Sequence, residues 1–130
     1  MKIPFFNYPH VFTAQENEFL RVLKDVGSRG AFIMQQDLQN FEQRIATYCG
    51  VKHAVGVANA TDGLQLGLMA GGIEAGDEII ICSHTMIATA SAIHFAGAIP
   101  VPVEVGSDHT IDHDAITGAI TPKTKAIMPT

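Results

Sequence analysis

The chain has 130 residues, of which 47% are apolar and 16% are charged, and its formal net charge is −5. A chain of this composition can bury roughly two thirds of its unfolded surface in one cored domain, which excludes a disordered protein. The acidic balance leaves no basic face for the phosphates of a duplex, so nucleic-acid binding is disfavoured. No apolar run approaches the ~18 residues of a membrane span, and the N-terminus lacks signal-peptide features, so we expect a cytoplasmic protein.

The first 50 residues predict an N-terminal helical segment. Thr13 and Glu16 form a capping box, which predicts a helix of about four turns that ends before Gly27. Its apolar residues recur at helical spacing: Phe19, Leu20, Val22, Leu23 and Val26. Residues 30–33 are too few for a strand and are interpreted as a packed loop.

A second helix is predicted to begin at Asp37, as its N-cap, and to stop at Gly50, which can adopt a left-handed conformation. Glu42 and Arg44 lie off its apolar stripe and should be solvated. The stripe consists of Leu38, Phe41, Ile45 and Tyr48.

From residue 54 onward the pattern alternates between strand and helix. Strands are predicted at 54–58, 79–82, 99–105 and 125–128, and helices at 62–71, 86–96 and 113–120, the first two of which should stop at Gly72 and Gly97. This β-α-β-α-β-α-β order, with strands apolar on both faces, predicts an α/β/α sandwich with a mainly parallel sheet. Pro100 and Pro102 remove two backbone donors, which predicts a border position in the sheet or a strand paired mainly through one edge.

Two strand ends are candidates for a ligand site, because ligands of open parallel sheets bind outside the carboxyl ends of the strands. Val55–Leu64 is interpreted as strand, turn and helix, and free N–H groups at a helix start suit a phosphate, with the Thr61 hydroxyl as a further donor. By pattern alone, a plainly capped helix explains this stretch as well. Ser83–Met86 follows the next strand, where Ser83 or Thr85 could cap the next helix.

Five ordered blocks stand out along the chain: IPFFN (3–7), FEQRIATYCGVKHAVGVANATDGLQLGL (41–68), GDEIIICSHTMIATASAIHFAGAIPVPVEV (76–105), ID (111–112) and AITPKTKAIMP (119–129). Together they resemble the pyridoxal-phosphate (PLP) dependent nucleotide-sugar aminotransferases of the DegT/StrS type, which share fold type I with aspartate aminotransferase. The resemblance covers nearly the whole chain.

This resemblance implies that Ala60 and Thr61 hold the PLP phosphate and that Met86 lies against the pyridine ring. The chain departs from the family in two places, with Ala60 where glycine is common and Met86 where an aromatic residue or histidine is common. No lysine matches the family's Schiff-base position, so no catalytic residue is assigned. The lysines are Lys2, Lys24, Lys52, Lys123 and Lys125.

The resemblance further implies an enzyme that transfers an amino group, with glutamate as donor, to a keto-sugar nucleotide, in amino-sugar or cell-surface polysaccharide biosynthesis. Family members work as homodimers. The chain corresponds to their N-terminal portion, with residues 1–50 as a helical segment and residues 51–130 as the first βα units of the PLP-binding domain. Taken alone, it is expected to be inactive.

Three alternatives stay open at this point. A metal site could form from Asp108, His109, Asp112, His113 and Asp114, although Asp112 is also the natural N-cap of the 113–120 helix, which leaves His109 outside that helix. A non-catalytic nucleotide-binding module is disfavoured by the absence of G-x-G-x-x-G. The chain could also be a catalytically incomplete fragment.

Cys49 and Cys82 fit neither a disulfide framework nor a metal knuckle and are expected to be reduced, semi-buried packing residues.

Overall fold

The structure is a computed structural model that describes residues 3–130, so Lys2 lies outside the described residues. The chain packs as two compact units that divide between Gly56 and Val57. Within the described residues, no helix is both long enough and apolar enough to span a membrane.

The first unit contains two helices, α1 (Tyr8–Arg29) and α2 (Gln36–Cys49). Each ends at a glycine in the left-handed region, Gly30 with φ 62° and Gly50 with φ 68°, a conformation in which a Cβ would be strained. The predicted stop at Gly50 is therefore confirmed, whereas the predicted end before Gly27 is wrong by three residues.

Both predicted N-caps of this unit are wrong. Helix α1 begins five residues before Thr13, because the Asn7 side chain accepts a hydrogen bond from the His10 N–H and Pro9 fits the first turn of a helix. Helix α2 begins after Gln35 without a side-chain cap. Asp37 lies in the first turn instead, where its carboxylate accepts a bond from Arg29 at 2.9 Å.

The apolar faces of these helices are largely exposed. Phe41 and Tyr48 of the predicted stripe are 58% and 90% exposed, and the buried residue of α2 is Ala46. In the 30–33 loop, Phe32 and Ile33 are also exposed, so this segment is a loop but not a packed one.

The first predicted strand, 54–58, does not form. A strand exists only where a neighbour completes its hydrogen-bond ladder, and no strand of the described chain pairs with this segment. The N–H of Gly56 is donated instead to Glu42 Oε1 at 2.7 Å. Glu42 is accordingly half-buried rather than solvated as predicted, whereas Arg44 is exposed.

The second unit is a three-stranded parallel sheet with helices in the order α3 (Ala60–Ala70), β1 (Glu78–Cys82), α4 (Ile87–Phe95), β2 (Ile99–Val103), α5 (His113–Ala119) and β3 (Thr124–Met128). The strand order is β2-β1-β3. The other three predicted strands and all three predicted helices of this region are thus confirmed, with ends shifted by two residues at most. Gly72 and Gly97 follow the first two helices with positive φ.

The central strand β1 is buried on both faces, and a core lies on each side of it. Ile79 and Ile81 pack with Leu68 of α3 and Ile93 of α4. Ile80 and Cys82 pack on the opposite face with a second set of side chains, which includes Val103 and Ile111. Cys82 is fully buried and Cys49 is exposed, so neither cysteine is semi-buried as predicted.

The border position predicted for the proline strand is confirmed, because β2 pairs with β1 alone among the described strands. Pro100 and Pro102 lie opposite Ile79 and Ile81. A missing N–H group lowers stability little in an edge strand, because one side of such a strand has no neighbouring strand to accept its hydrogen bonds.

Helix α5 provides a stability test of a confirmed cap. The Asp112 carboxylate accepts the N–H of Asp114 at 2.9 Å. We expect Asp112→Ala to lower the free energy of unfolding by about 0.5–2 kcal/mol, because one orphan donor loses its partner. Asp112→Asn is the matched control and should change it little, since asparagine caps equally well. Urea denaturation measures both, and equal losses for the two variants would contradict the capping role.

Candidate functional site

The N-terminus of α3 has two backbone donors without an acceptor among residues 3–130. Of its first four N–H groups, that of Asp62 is donated to Asn59 Oδ1 at 3.0 Å and that of Gly63 to the Asn59 carbonyl at 3.1 Å. Among the described residues, nothing accepts the N–H groups of Ala60 and Thr61 or bonds the Thr61 hydroxyl. The free donors therefore belong to the two residues that the sequence singles out.

The Asp62 carboxylate lies in the same first turn and is itself hydrogen-bonded. Asp62 Oδ2 accepts a bond from Asn59 Nδ2 at 2.9 Å, and Asn59 Oδ1 accepts the backbone N–H of Asp62, so two hydrogen bonds connect these residues. This clamp fixes the first turn. Two N–H groups, one hydroxyl and the positive end of an 11-residue helix remain for an anion.

Ala60 and Thr61 adopt ordinary backbone conformations, and neither lies at positive φ. Ala60 is exposed and Thr61 is half-buried. The alanine at residue 60 therefore requires no conformation that only glycine can adopt.

Met86 lies at the carboxyl end of β1, where it is the N-cap residue of α4 and is 74% exposed. Its thioether is free to contact an aromatic ring. The expectation that Ser83 or Thr85 caps α4 is wrong, because α4 has no side-chain cap. The Thr85 hydroxyl instead bonds Thr89 and Thr130, contacts that local sequence patterns could not reveal because Thr130 lies 45 residues away.

A groove of about 360 Å³ lies between α3 and β3, and its lining includes Gly63, Lys125 and Met128. Ala60 and Thr61 are the first two residues of α3, and Met86 follows the carboxyl end of β1. Lys123 immediately precedes β3, at the opposite, amino end. Lys125 is the second residue of that strand.

The alternative metal cluster does not assemble. His113 and Asp114 begin α5, Asp112 caps it, and His109 occupies a turn with φ 64°. Within residues 3–130, no three His, Cys, Asp or Glu side chains come together as metal ligands. Asp108 has its own partner, since the N–H and hydroxyl of Thr110 hold the pKa of its carboxyl below the usual value.

The described residues thus form an α/β fold with unpaired hydrogen-bond donors at the start of α3 and an exposed thioether, that of Met86, after β1. A model of the DegT/DnrJ/EryC1/StrS aminotransferase family matches residues 13–130, so the chain belongs to this family. The predicted family and fold class are confirmed.

Individual relatives agree with this assignment. The chain is 40% identical over 129 residues to dTDP-3-amino-3,4,6-trideoxy-alpha-D-glucose transaminase of Streptomyces venezuelae, which covers 98% of this chain and 34% of the relative. It is 34% identical over 130 residues to 3-oxo-glucose-6-phosphate:glutamate aminotransferase of Bacillus subtilis, with 98% and 30% covered. The crystal structure of NtdA from B. subtilis with bound cofactor PMP aligns with a TM-score of 0.92 and 34% identity, over 98% of this chain and 30% of that one.

The chain thus spans about a third of the length of the curated relatives it matches.

Proposed function

We propose that this chain forms the phosphate-binding and ring-binding part of a PLP-dependent aminotransferase that acts on keto-sugar nucleotides. In this proposal, residues 1–50 form an N-terminal helical segment and residues 51–130 the first βα units of the cofactor domain. A cytoplasmic location and a homodimer belong to the same proposal, by resemblance to the family.

The observation that carries the proposal is the set of unused donors at the start of α3. A phosphate needs several N–H or O–H donors and a positive potential. The N–H groups of Ala60 and Thr61, the Thr61 hydroxyl and the helix dipole supply them, and we call this set of donors the phosphate cradle. The Asn59–Asp62 clamp supports this role, because it keeps the carboxylate hydrogen-bonded and the first turn rigid. The residues present therefore fit the cofactor's phosphate.

Met86 is the residue proposed to contact the ring. A methionine sulfur gains about 0.3–1.5 kcal/mol against an aromatic face, and the exposed thioether of Met86 is accessible for such a contact. When bound, PLP supplies the electron sink and the carrier of the amino group. The residues of this chain would hold its phosphate and orient its ring.

The lysine that holds PLP covalently is proposed to lie outside residues 1–130. This proposal rests on the resemblance, because none of the chain's five lysines matches the family's Schiff-base position. The 130-residue polypeptide alone should then be inactive.

The proposed substrates are inferred from the activities of two relatives. One is a transaminase of a dTDP-linked amino sugar, and another is an aminotransferase of a keto-sugar phosphate with glutamate. We therefore propose glutamate as amino donor and a nucleotide-linked keto-sugar as acceptor.

The test is to incubate the full-length protein with PLP, reduce it with borohydride and map the modified peptides, and to assay amino transfer from glutamate to a dTDP-linked keto-sugar. We expect one stoichiometric adduct outside residues 1–130, together with transfer. The 130-residue polypeptide, treated identically, is the control and should give neither.

Two results would contradict the proposal. The first is a single stoichiometric adduct at Lys123 or Lys125, which would place the covalent site within this chain. The second is a full-length protein that takes up no PLP and transfers no amino group.

A further inference from the structure

Three threonine hydroxyls form a continuous hydrogen-bonded chain across the carboxyl end of the sheet. Thr89 of α4 and Thr85 of the β1–α4 loop have their Oγ1 atoms 3.0 Å apart. Thr85 Oγ1 donates to Thr130 Oγ1 at 3.1 Å. This chain of hydroxyls, Thr89–Thr85–Thr130, connects the first turn of a helix with the residues that follow β3.

The direction of the hydrogen bonds follows from the number of protons. A hydroxyl has one proton to donate, and Thr85 uses it toward Thr130, so Thr89 must be the donor in the other bond. Thr89 is only 6% exposed, and a buried hydroxyl without a partner would be costly. Thr85 is thus the acceptor that satisfies it.

This arrangement holds Met86 from both sides. Thr85 precedes Met86 and is tied to Thr130, while the Met86 carbonyl accepts the N–H of Thr89 at 3.0 Å. Because Thr85 is engaged in this way, it does not cap α4. Met86 itself is exposed, so its position depends on these neighbours and not on core packing.

We propose that the Thr89–Thr85–Thr130 chain is a positioning device that holds the Met86 thioether against the cofactor ring. The proposal rests on the proposed function of Met86. The outer bond, Thr85 to Thr130, lies on the exposed side, where one hydrogen bond adds little to stability. Its effect should appear in how Met86 contacts the ring.

The decisive variant is Thr130→Val in the full-length protein, because it breaks the outer bond and leaves Thr89 satisfied. Pyridoxamine 5'-phosphate (PMP) is the probe, since it binds without a covalent bond to lysine. Peroxide oxidises exposed thioethers, so the rate of Met86 sulfoxide formation, followed by peptide mass spectrometry, reports whether the ring covers Met86. Met34, which is 80% exposed in the other packing unit, is the internal control.

In the wild-type protein, saturating PMP should slow Met86 oxidation about 5-fold or more and leave Met34 unchanged, because oxidation follows exposure. Thr130→Val should bind PMP yet lose most of this protection, with the melting temperature of the apoprotein unchanged. Thr130→Ser should restore it. Thr117→Val, which removes a hydroxyl bonded only to the His113 carbonyl of its own helix, should protect Met86 as the wild type does.

Full protection in Thr130→Val at saturating PMP would overturn the positioning role, as would an equal loss in Thr117→Val. A third result would also overturn the positioning role: the wild type binds PMP and Thr61→Val weakens that binding, but PMP does not protect Met86 from oxidation. This result would still support the phosphate cradle. A wild-type protein that binds no PMP would overturn the proposed function as well.

Discussion

Thr61→Val should weaken PMP binding by about 1–3 kcal/mol, or roughly 5- to 150-fold in Kd, because it removes one hydrogen bond to a charged phosphate oxygen. Valine has nearly the same shape as threonine, so the loss reports the hydroxyl. The helix itself should persist, since its cap is Asn59 and not Thr61. Titration of the full-length apoprotein with PMP measures the effect.

Thr61→Ser is the matched control, and it should bind PMP within a few-fold of the wild type because the hydroxyl is retained. The two backbone donors at Ala60 and Thr61 remain in both variants, so binding should be weakened and not abolished. Equal affinity of the wild type and Thr61→Val would remove Thr61 from the site.

The helices and the buried strands could be predicted because their signals are local. Residues 79–82 are apolar on both faces, and a strand covered by helices on two sides needs that composition. Asp112 was identified as a cap because its position before an apolar periodic segment fixes its role. The start of the helix near Ala60 and Thr61 is predictable in the same way, from a change of period within a few residues.

The errors arose where the outcome depends on residues far along the chain or on competing neighbours. The segment 54–58 has a strand composition, but a ladder partner decides whether a strand forms, and here Glu42 takes the Gly56 N–H. Thr13 is a good cap residue, but Asn7 and the proline after it start the helix earlier.

The phosphate cradle and the Thr89–Thr85–Thr130 chain differ in how far apart their bonded residues lie in the sequence. The Asn59–Asp62 clamp spans three residues, so its spacing could have revealed it. The bond between Thr85 and Thr130 joins two strand ends through the fold, and no single window of sequence contains both residues. Family resemblance pointed to Met86 but not to the groups that hold it.

Met86→Asp should weaken PMP binding by at least about 10-fold, because a carboxylate would lose hydration against an aromatic face and would lie near a phosphate. Met86→Phe should retain or tighten binding, since an aromatic side chain can stack on the ring. Met86 is 74% exposed, so neither change should unfold the protein. Titration with PMP, together with the melting temperature of each apoprotein, separates affinity from stability.

The control for added charge alone is Met69→Asp, a change at another exposed methionine, which lies near the end of α3, away from its N-terminal donors. It should leave PMP affinity within about 2-fold of the wild type, because a single exposed charge beyond the Debye length is screened. If Met86→Asp bound PMP as tightly as Met69→Asp does, Met86 would not face the ring. If Met86→Phe and Met86→Asp both failed to fold, Met86 would be a packing methionine and would have no role as a ligand of the ring.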